Sequence, residues 1–415
     1  MEYGCIGEKL THSFSREIHN KLFDYRYDLI ELTQKELDLF MKNRDFKAIN
    51  VTIPYKQAVI PYLDFIDDSA KLIGAVNTIV NKDGKLWGYN TDFKGMTALI
   101  LKNDIEIKNK KVLILGSGGT CLTATAVAKD LGAREILRVS RNKKDAFITY
   151  DEVYKYHLDA EIIINTTPVV MYPKIGDAPV DVKQFSKLSG IVDAVYNPLC
   201  SQLVCDAKLL GIKAVGGLYM LVAQAVFAAE KFMDTDIEQE KIDLVYKEIL
   251  LSKRNIVLIG MPSSGKSTIG KALAQMLGMK FIDTDELIVK KSGRDIKSII
   301  QEDGEGYFRA LECEAVLEAA AYQNTVIATG GGAILNSRNV ELLKGNGRLY
   351  FLDRPLEKLF VTDDRPLSND IQKLKRLYDE RYDIYHSCAD AVVKCVDDIN
   401  VNIQALKEDF LKCEF

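Results

Sequence analysis

Twice in this chain a continuous apolar run breaks into a glycine-rich turn and then into a helix-compatible stretch. The first is Lys111-Val112-Leu113-Ile114-Leu115 before Gly116-Ser117-Gly118-Gly119. The second is Asn255-Ile256-Val257-Leu258-Ile259 before Gly260-Met261-Pro262-Ser263-Ser264-Gly265-Lys266. An unbroken apolar run suits a strand buried on both faces, hence a parallel sheet covered by helices. More such runs follow each turn: Glu135–Val139, Ile162–Asn165 and Ile191–Val195, then Val326–Ala328 and Arg348–Leu352. Helical patterns lie between them. The alternation predicts an α/β chain built on doubly wound parallel sheets. At roughly 100–200 residues per domain, 415 residues suggest two to four domains.

The second turn carries the stronger chemical signal. Gly260-x-x-x-x-Gly265-Lys266-Ser267 has the spacing of a P-loop, in which backbone N–H groups turn inward around phosphate oxygens. Lys266 would add charge at the β and γ phosphates, and the Ser267 hydroxyl would reach Mg²⁺. Asp283-Thr284-Asp285 follows the apolar pair Phe281-Ile282. On an extended segment, carboxylates at i and i+2 point the same way. One could hold metal while the other faces the phosphoryl acceptor. Gly330-Gly331-Gly332 follows the run Val326–Ala328, and Arg309, Arg365 and Arg381 offer bidentate partners for a carboxylate. Taken singly, each is as readily a turn or a surface salt-bridge residue.

In order and spacing, these residues resemble the shikimate kinases over nearly all of Arg254–Val393. The P-loop, Asp-x-Asp, Gly304-Glu305-x-Tyr307-Phe308-Arg309, triple glycine, Arg365-Pro366-Leu367 and Arg381-x-x-x-Tyr385 all occur in the family's sequence. The resemblance implies that Gly260, Ser263, Ser264, Gly265, Lys266, Ser267, Thr268 and Arg365 bind ATP, and that Ser267 and Asp283 serve Mg²⁺. It implies that Asp285, Arg309, Gly331, Gly332 and Arg381 hold shikimate, with Lys266, Asp285 and Arg365 catalytic. One departure is a lid between Leu359 and Arg365 several residues shorter than usual, with Val361 and Thr362 where the family commonly has a basic residue.

The first turn alone says less. Gly116-x-Gly118-x-x-Cys121 is a weak dinucleotide fingerprint with Cys in the third small position. The end of the next run adds to it. Val139-Ser140-Arg141-Asn142-Lys143-Lys144 lacks the acid that would grip a ribose 2′-hydroxyl and carries three bases, which favours a 2′-phosphate and so NADP. Upstream, hydroxyl- and amide-rich segments could hydrogen-bond a polyhydroxylated ring, although such residues also cap turns.

As a set, the first half resembles the shikimate dehydrogenases from about Tyr3 to Phe232. The shared elements are His12-Ser13-x-Ser15, Asn50-Val51-Thr52-x-Pro54-x-Lys56, Gly74-Ala75-x-Asn77-Thr78 and Asn90-Thr91-Asp92. Asp193-x-Val195-Tyr196-Asn197-Pro198 and Met220-Leu221-Val222-x-Gln224 complete the set. The resemblance implies that Ser13, Ser15, Thr52, Lys56, Asn77, Asp92, Tyr196 and Gln224 bind shikimate, with Lys56 and Asp92 as the catalytic pair. NADP would lie on Gly116, Ser117, Gly118, Gly119, Thr120, Ser140, Arg141 and Lys143. Val170 stands where glycine is common.

Together these readings predict a substrate-binding α/β domain, a Rossmann NADP domain and a P-loop kinase domain. The expected bounds are residues 1–94 with 219–247 returning, 95–218, a junction at 248–253, and 254–415. The expected substrates are 3-dehydroshikimate and shikimate. Three alternatives stay open: activity on quinate or with NAD, a regulatory P-loop module, and a kinase for another small polyol acid.

The formal net charge of −4 gives no electrostatic case for nucleic acid or an anionic membrane. Eight scattered cysteines and four histidines show no zinc spacing, which fits reduced thiols in a cytoplasmic protein. No secretory pattern is seen at the N-terminus, and the apolar stretch Leu218–Ala229 is shorter than the roughly 20 residues of a membrane span. It reads as a buried helix. Oligomeric state is not legible.

Overall fold

A computed structural model describes residues 1–10, 14–143, 146–169, 171, 178–360 and 370–412. The chain divides into two compact units, Met1–Ile249 and Leu250–Phe415.

The first unit holds two sheets. The N-terminal sheet has six strands in the order Tyr27–Glu31, Tyr3–Gly7, Ala48–Val51, Thr78–Lys82, Lys85–Tyr89, Phe65–Ile66. It is mixed. Tyr3–Gly7 pairs in parallel with both neighbours, whereas Thr78–Lys82 runs antiparallel to Ala48–Val51 and to Lys85–Tyr89. The antiparallel pair is a hairpin whose turn, Asp83-Gly84, has φ of 52° and 82°, the left-handed pairing that two-residue hairpins need. The second sheet is wholly parallel, in the order Lys213–Val215, Gly190–Asp193, Ile162–Asn165, Lys111–Leu115, Glu135–Val139. All five residues of Lys111–Leu115 are buried, as a central parallel strand requires. The strand order reverses beside it, which opens a cleft at the carboxyl ends of Lys111–Leu115 and Ile162–Asn165.

Helix Leu218–Met233, expected as buried, is buried along most of its length. It packs on helices Thr91–Lys102 and Ser15–Leu22 and on strands Ala48–Val51 and Thr78–Lys82. Gly95 permits the closest approach, because a Cβ there would lie 2.8 Å from Met220 O. Thr91–Lys102 is one helix, with Met96, Leu99 and Ile100 on its buried face, so the expected boundary at 94/95 falls inside it. Likewise Gln239–Lys253 is a single helix through the expected junction at 248–253. That segment contains no Pro or Gly, and Ile242, Val245 and Ile249 recur at helical spacing on its buried side. Among the described residues, no helix is long and apolar enough to cross a membrane.

The second unit is a five-stranded parallel sheet, ordered Lys280–Asp283, Thr325–Ala328, Asn255–Ile259, Gly347–Asp353, Ala391–Lys394. Central strand Asn255–Ile259 is fully buried and runs into the loop that precedes helix Lys266–Leu277. Helix Ile296–Ala320 is broken at Gly304, whose φ of 85° and ψ of 165° are not helical.

Candidate active sites

In the first unit the site is gathered from three segments. Lys56 lies in the turn after strand Ala48–Val51, just beyond a cis Ile53–Pro54 bond. Asp92 lies in the first turn of helix Thr91–Lys102, which Asn90 caps by accepting from Phe93 N. Lys56 Nζ donates to Asp92 Oδ2 at 2.5 Å, with side chains 15% and 9% exposed. The pair is thus largely withdrawn from solvent but not sealed. Asn77 Oδ1 accepts from Thr91 N at 2.8 Å, and its Nδ2 donates to Thr91 Oγ1 at 3.1 Å and Gln224 Oε1 at 3.4 Å. A Cβ on Gly119 would sit 3.6 Å from Lys56 Cδ, so the lysine stem lies against the glycine turn of the parallel sheet.

That turn is built for close backbone approach. Gly116 has φ of 120°, and a Cβ there would lie 2.5 Å from Thr166 Oγ1. Gly118 caps helix Gly119–Asp130, so that helix's unpaired N–H groups face the cleft. A Cβ on Gly118 would meet nothing within 4 Å. Ser117 is exposed and Thr120 half-buried. Cys121, in the third small position, is buried, and burial raises its thiol pKa. The glycines, the helix end and the open space fit a dinucleotide pyrophosphate.

The remaining expected residues are placed by separate elements. Ser15 opens helix Ser15–Leu22, Thr52 donates its backbone N–H to Ile6 O at 3.0 Å, and Tyr196 meets Phe14 edge-on. Burial raises the Tyr196 pKa. Ser140, Arg141 and Lys143 stand off the edge strand Glu135–Val139 and do not join the Lys56 group. The buried Ser140 hydroxyl donates to Asn142 O, and exposed Lys143 pairs with Glu152. Arg141 is exposed at the same strand end. Ser13 and Val170 lie outside the described residues.

In the second unit a cavity of about 550 Å³ opens at the carboxyl end of the sheet. Gly260 and Gly265 have φ of 149° and 95°, and Ser263 φ of 63°, which curl the loop around its own N–H groups. Lys266 Nζ donates to Gly260 O and Met261 O, each at 2.8 Å. The Ser264 hydroxyl is buried without a hydrogen-bond partner. Thr268 lines the cavity from helix Lys266–Leu277.

Ser267 Oγ donates to Asp283 Oδ2 at 2.5 Å, which brings the two expected metal ligands together. Their hard oxygen atoms suit Mg²⁺. Asp283 and Asp285 both line the cavity, but not as neighbours on one extended segment. Asp283 ends its strand and caps helix Thr284–Ser292 by accepting from Asp285 N, so Asp285 belongs to that helix's first turn.

Arg309 Nη1 donates to Glu312 Oε2 at 2.8 Å and Nη2 to Glu305 Oε1 at 2.9 Å. A Cβ on Gly332 would meet the Arg309 guanidinium, so the glycine lets that side chain lie against the backbone of the triple-glycine turn. Arg381, 5% exposed, donates to Gly331 O at 3.2 Å, and Tyr385 OH donates to the same carbonyl. Buried Glu312 Oε1 and Arg381 Nε have no hydrogen-bond partner. Arg365 and the shortened lid lie outside the described residues.

Over 261 residues the chain is 38% identical to the shikimate dehydrogenase (NADP(+)) of Clostridium beijerinckii, a match covering 59% of this chain and 96% of that relative. The chain belongs to the shikimate dehydrogenase family. The family model of the shikimate dehydrogenase substrate binding domain matches residues 5–79, and that of shikimate kinase matches residues 262–409. Shikimate dehydrogenase 1 from Peptoclostridium difficile superposes with a TM-score of 0.56 at 36% identity, covering 60% of this chain and 98% of that one. A chorismate mutase/shikimate 5-dehydrogenase fusion from Clostridium acetobutylicum gives 0.56 at 39% identity, covering 60% and 96%. A dehydrogenase of this family fused to another enzyme therefore has a structural precedent.

Sequence reasoning missed three residues around the two sites. Thr91 brackets Asn77. Thr284 Oγ1 accepts from Gly330 N at 2.9 Å and so fixes the triple glycine. Glu312, 2% exposed with its pKa raised by burial, lies inside the kinase cavity. The available signal for Glu312 was its i+3 position from Arg309, which places both on one helix face.

Proposed function

We propose that the dehydrogenase unit reduces 3-dehydroshikimate to shikimate with NADPH and that the kinase unit phosphorylates shikimate to shikimate 3-phosphate with ATP and Mg²⁺. The chain is a bifunctional shikimate-pathway enzyme, the product of one unit being the substrate of the other. The observation that carries the reading is Lys56, ion-paired with Asp92 on one side and lying against the dinucleotide turn at Gly119 on the other. This supports the reading of Lys56 as the proton donor to a ring ketone that meets the cofactor.

NADPH, when bound, supplies the hydride. The Lys56 ammonium supplies the proton to the oxygen at the reduced carbon, and Asp92 orients that ammonium. Its partial exposure lets water restore the proton. Asn77 and Gln224 bind ring hydroxyls, while Ser13, Ser15, Thr52 and Tyr196 hold the remainder of the substrate. Gly116, Ser117, Gly118, Gly119 and Thr120 take the pyrophosphate. Ser140, Arg141 and Lys143 take the 2′-phosphate, with Lys143 first leaving Glu152. We assign the substrate side to residues 1–94 with 219–247, and the cofactor side to 95–218.

In the kinase unit Gly260, Ser263, Ser264, Gly265 and Thr268 cradle the nucleotide phosphates. Lys266 exchanges two loop carbonyls for phosphate oxygens, and Ser267 and Asp283 hold Mg²⁺. Asp285 receives the proton of the attacking hydroxyl. Arg309 and Arg381 bind the substrate carboxylate, Gly331 and Gly332 let the ring approach, and Arg365 meets the transferred charge. Phosphoryl transfer of this kind depends mainly on positioning and charge stabilisation. The cytoplasm is the compartment we assign.

The test uses NADPH oxidation with 3-dehydroshikimate and, separately, ADP release with shikimate. Lys56→Ala is expected to remove only the first activity and Lys266→Ala only the second. Loss of both from either substitution would contradict separate sites.

A further inference from the structure

Asp193 ends the buried strand Gly190–Asp193 and is 0% exposed. A carboxylate without solvent needs donors, and three segments supply them. Asn165 Nδ2 donates to Oδ1 at 2.9 Å, Val195 N to the same oxygen at 3.0 Å, and Ser201 Oγ to Oδ2 at 2.5 Å. Burial still pushes its pKa up to about 6, and no charged side chain contributes to that value.

Each donor anchors a different part of the dehydrogenase cleft. Asn165 Oδ1 accepts from Thr167 N at 3.0 Å and Thr167 Oγ1 at 2.7 Å, fixing the loop after strand Ile162–Asn165. Within that loop, Thr166 donates its hydroxyl to Leu115 O at 2.7 Å and packs against Gly116 of the dinucleotide turn. Val195 immediately precedes Tyr196, and its own carbonyl accepts from Gly217 N at 2.8 Å at the start of the helix that carries Gln224. Ser201 caps helix Gln202–Leu209.

We propose that Asp193 is a positioning residue of the dehydrogenase, which sets the cofactor loop through Asn165 and the substrate side through Val195, and so holds the two halves of the cleft in register. It touches neither ligand. The inference rests on the dehydrogenase reading of this unit.

The geometry separates three variants. Asp193→Ala removes every acceptor. Asp193→Asn keeps Oδ1 for Asn165 and Val195, and the Ser201 hydroxyl can reverse to accept from the new amide. Asn165→Ala cuts only the cofactor branch. Steady-state kinetics on the full chain would measure KM for NADPH and for 3-dehydroshikimate, with circular dichroism and shikimate phosphorylation as fold controls.

At the cost of a hydrogen bond to a buried charge, Asp193→Ala should raise both KM values about tenfold or more, and Asn165→Ala should raise that for NADPH about tenfold while leaving the other within about threefold. Asp193→Asn should stay within about threefold of wild type in both. A merely structural residue would lower the amount of active protein without this split. Unchanged KM values in folded Asp193→Ala would overturn the proposal. If that variant does not fold, an unchanged KM for NADPH in Asn165→Ala would do the same. Wild-type protein that fails to oxidise NADPH would instead remove the dehydrogenase reading itself.

Discussion

Lys56 and Asp92 come from different segments, and the proposed first activity rests at the residue scale on their 2.5 Å contact. Replacing Lys56 with Ala should lower the rate of reduction by about 10²- to 10⁴-fold, the usual worth of a general acid, with phosphorylation unchanged. Initial rates of both reactions on one preparation check this. Asp193 gives a prediction of a different kind. Its pKa is raised from 3.8 to about 6 by burial, so the folded protein holds this proton more firmly than the unfolded chain. The stabilising contribution of the protonated form is therefore present below about pH 4 and lost as pH rises through about 6. Asp193→Asn has no such loss. Its stability relative to wild type should improve by about 2 kcal/mol between pH 4 and pH 7. Denaturant unfolding followed through Trp87, the single tryptophan and a residue of this unit, reads the difference.

Residues fixed by a spaced pattern were legible without coordinates. Gly260, Gly265, Lys266 and Ser267 are the clearest, because loop closure around phosphate demands those types at those intervals. Residues defined only by what they touch were not legible. Glu312 in sequence is one more acid on a charged helix; its i+3 spacing sets it beside Arg309, but only the fold turns that face towards the cavity. Lys143 shows the converse: the row of bases is real, but Glu152 already engages one of them.

At the scale of elements, the parallel strands were readable because full burial makes them continuous apolar runs. The mixed sheet of the first 89 residues was not, since its direction depends on which strands pair. The stretch between the two enzymes was partly readable: charged but free of Pro and Gly, it reads as a helix closing the first enzyme plus a short junction, and the helix Gln239–Lys253 runs on through the residues expected as that junction. Two glycines can be tested as hinges of their elements. Gly116→Ala must both adopt φ of 120° and displace Thr166 Oγ1 from 2.5 Å. Backbone strain of about 1–3 kcal/mol at this turn should raise KM for NADPH at least about fivefold, measured at saturating 3-dehydroshikimate. Gly304→Ala must adopt φ of 85° where its Cβ would meet nothing within 4 Å, so the cost is backbone strain alone. The strain should shift the following helix segment that bears Arg309 and Glu312. Its expected signature is a higher KM for shikimate in the kinase assay with reduction of 3-dehydroshikimate unaffected.

At the scale of the whole molecule, the described residues of each proposed site fall within a single compact unit. The dehydrogenase set lies within Met1–Ile249 and the described kinase set within Leu250–Phe415. An equimolar mixture of the Lys56→Ala and Lys266→Ala proteins should therefore convert 3-dehydroshikimate through to shikimate 3-phosphate. The central claim is tested most directly in a single vessel, with wild-type protein, 3-dehydroshikimate, NADPH, ATP and Mg²⁺, following NADPH absorbance and identifying products by mass spectrometry. NADPH loss with shikimate 3-phosphate accumulating is the expected result. NADPH left unconsumed would contradict the account of the first unit, and shikimate accumulating without its phosphate would contradict that of the second.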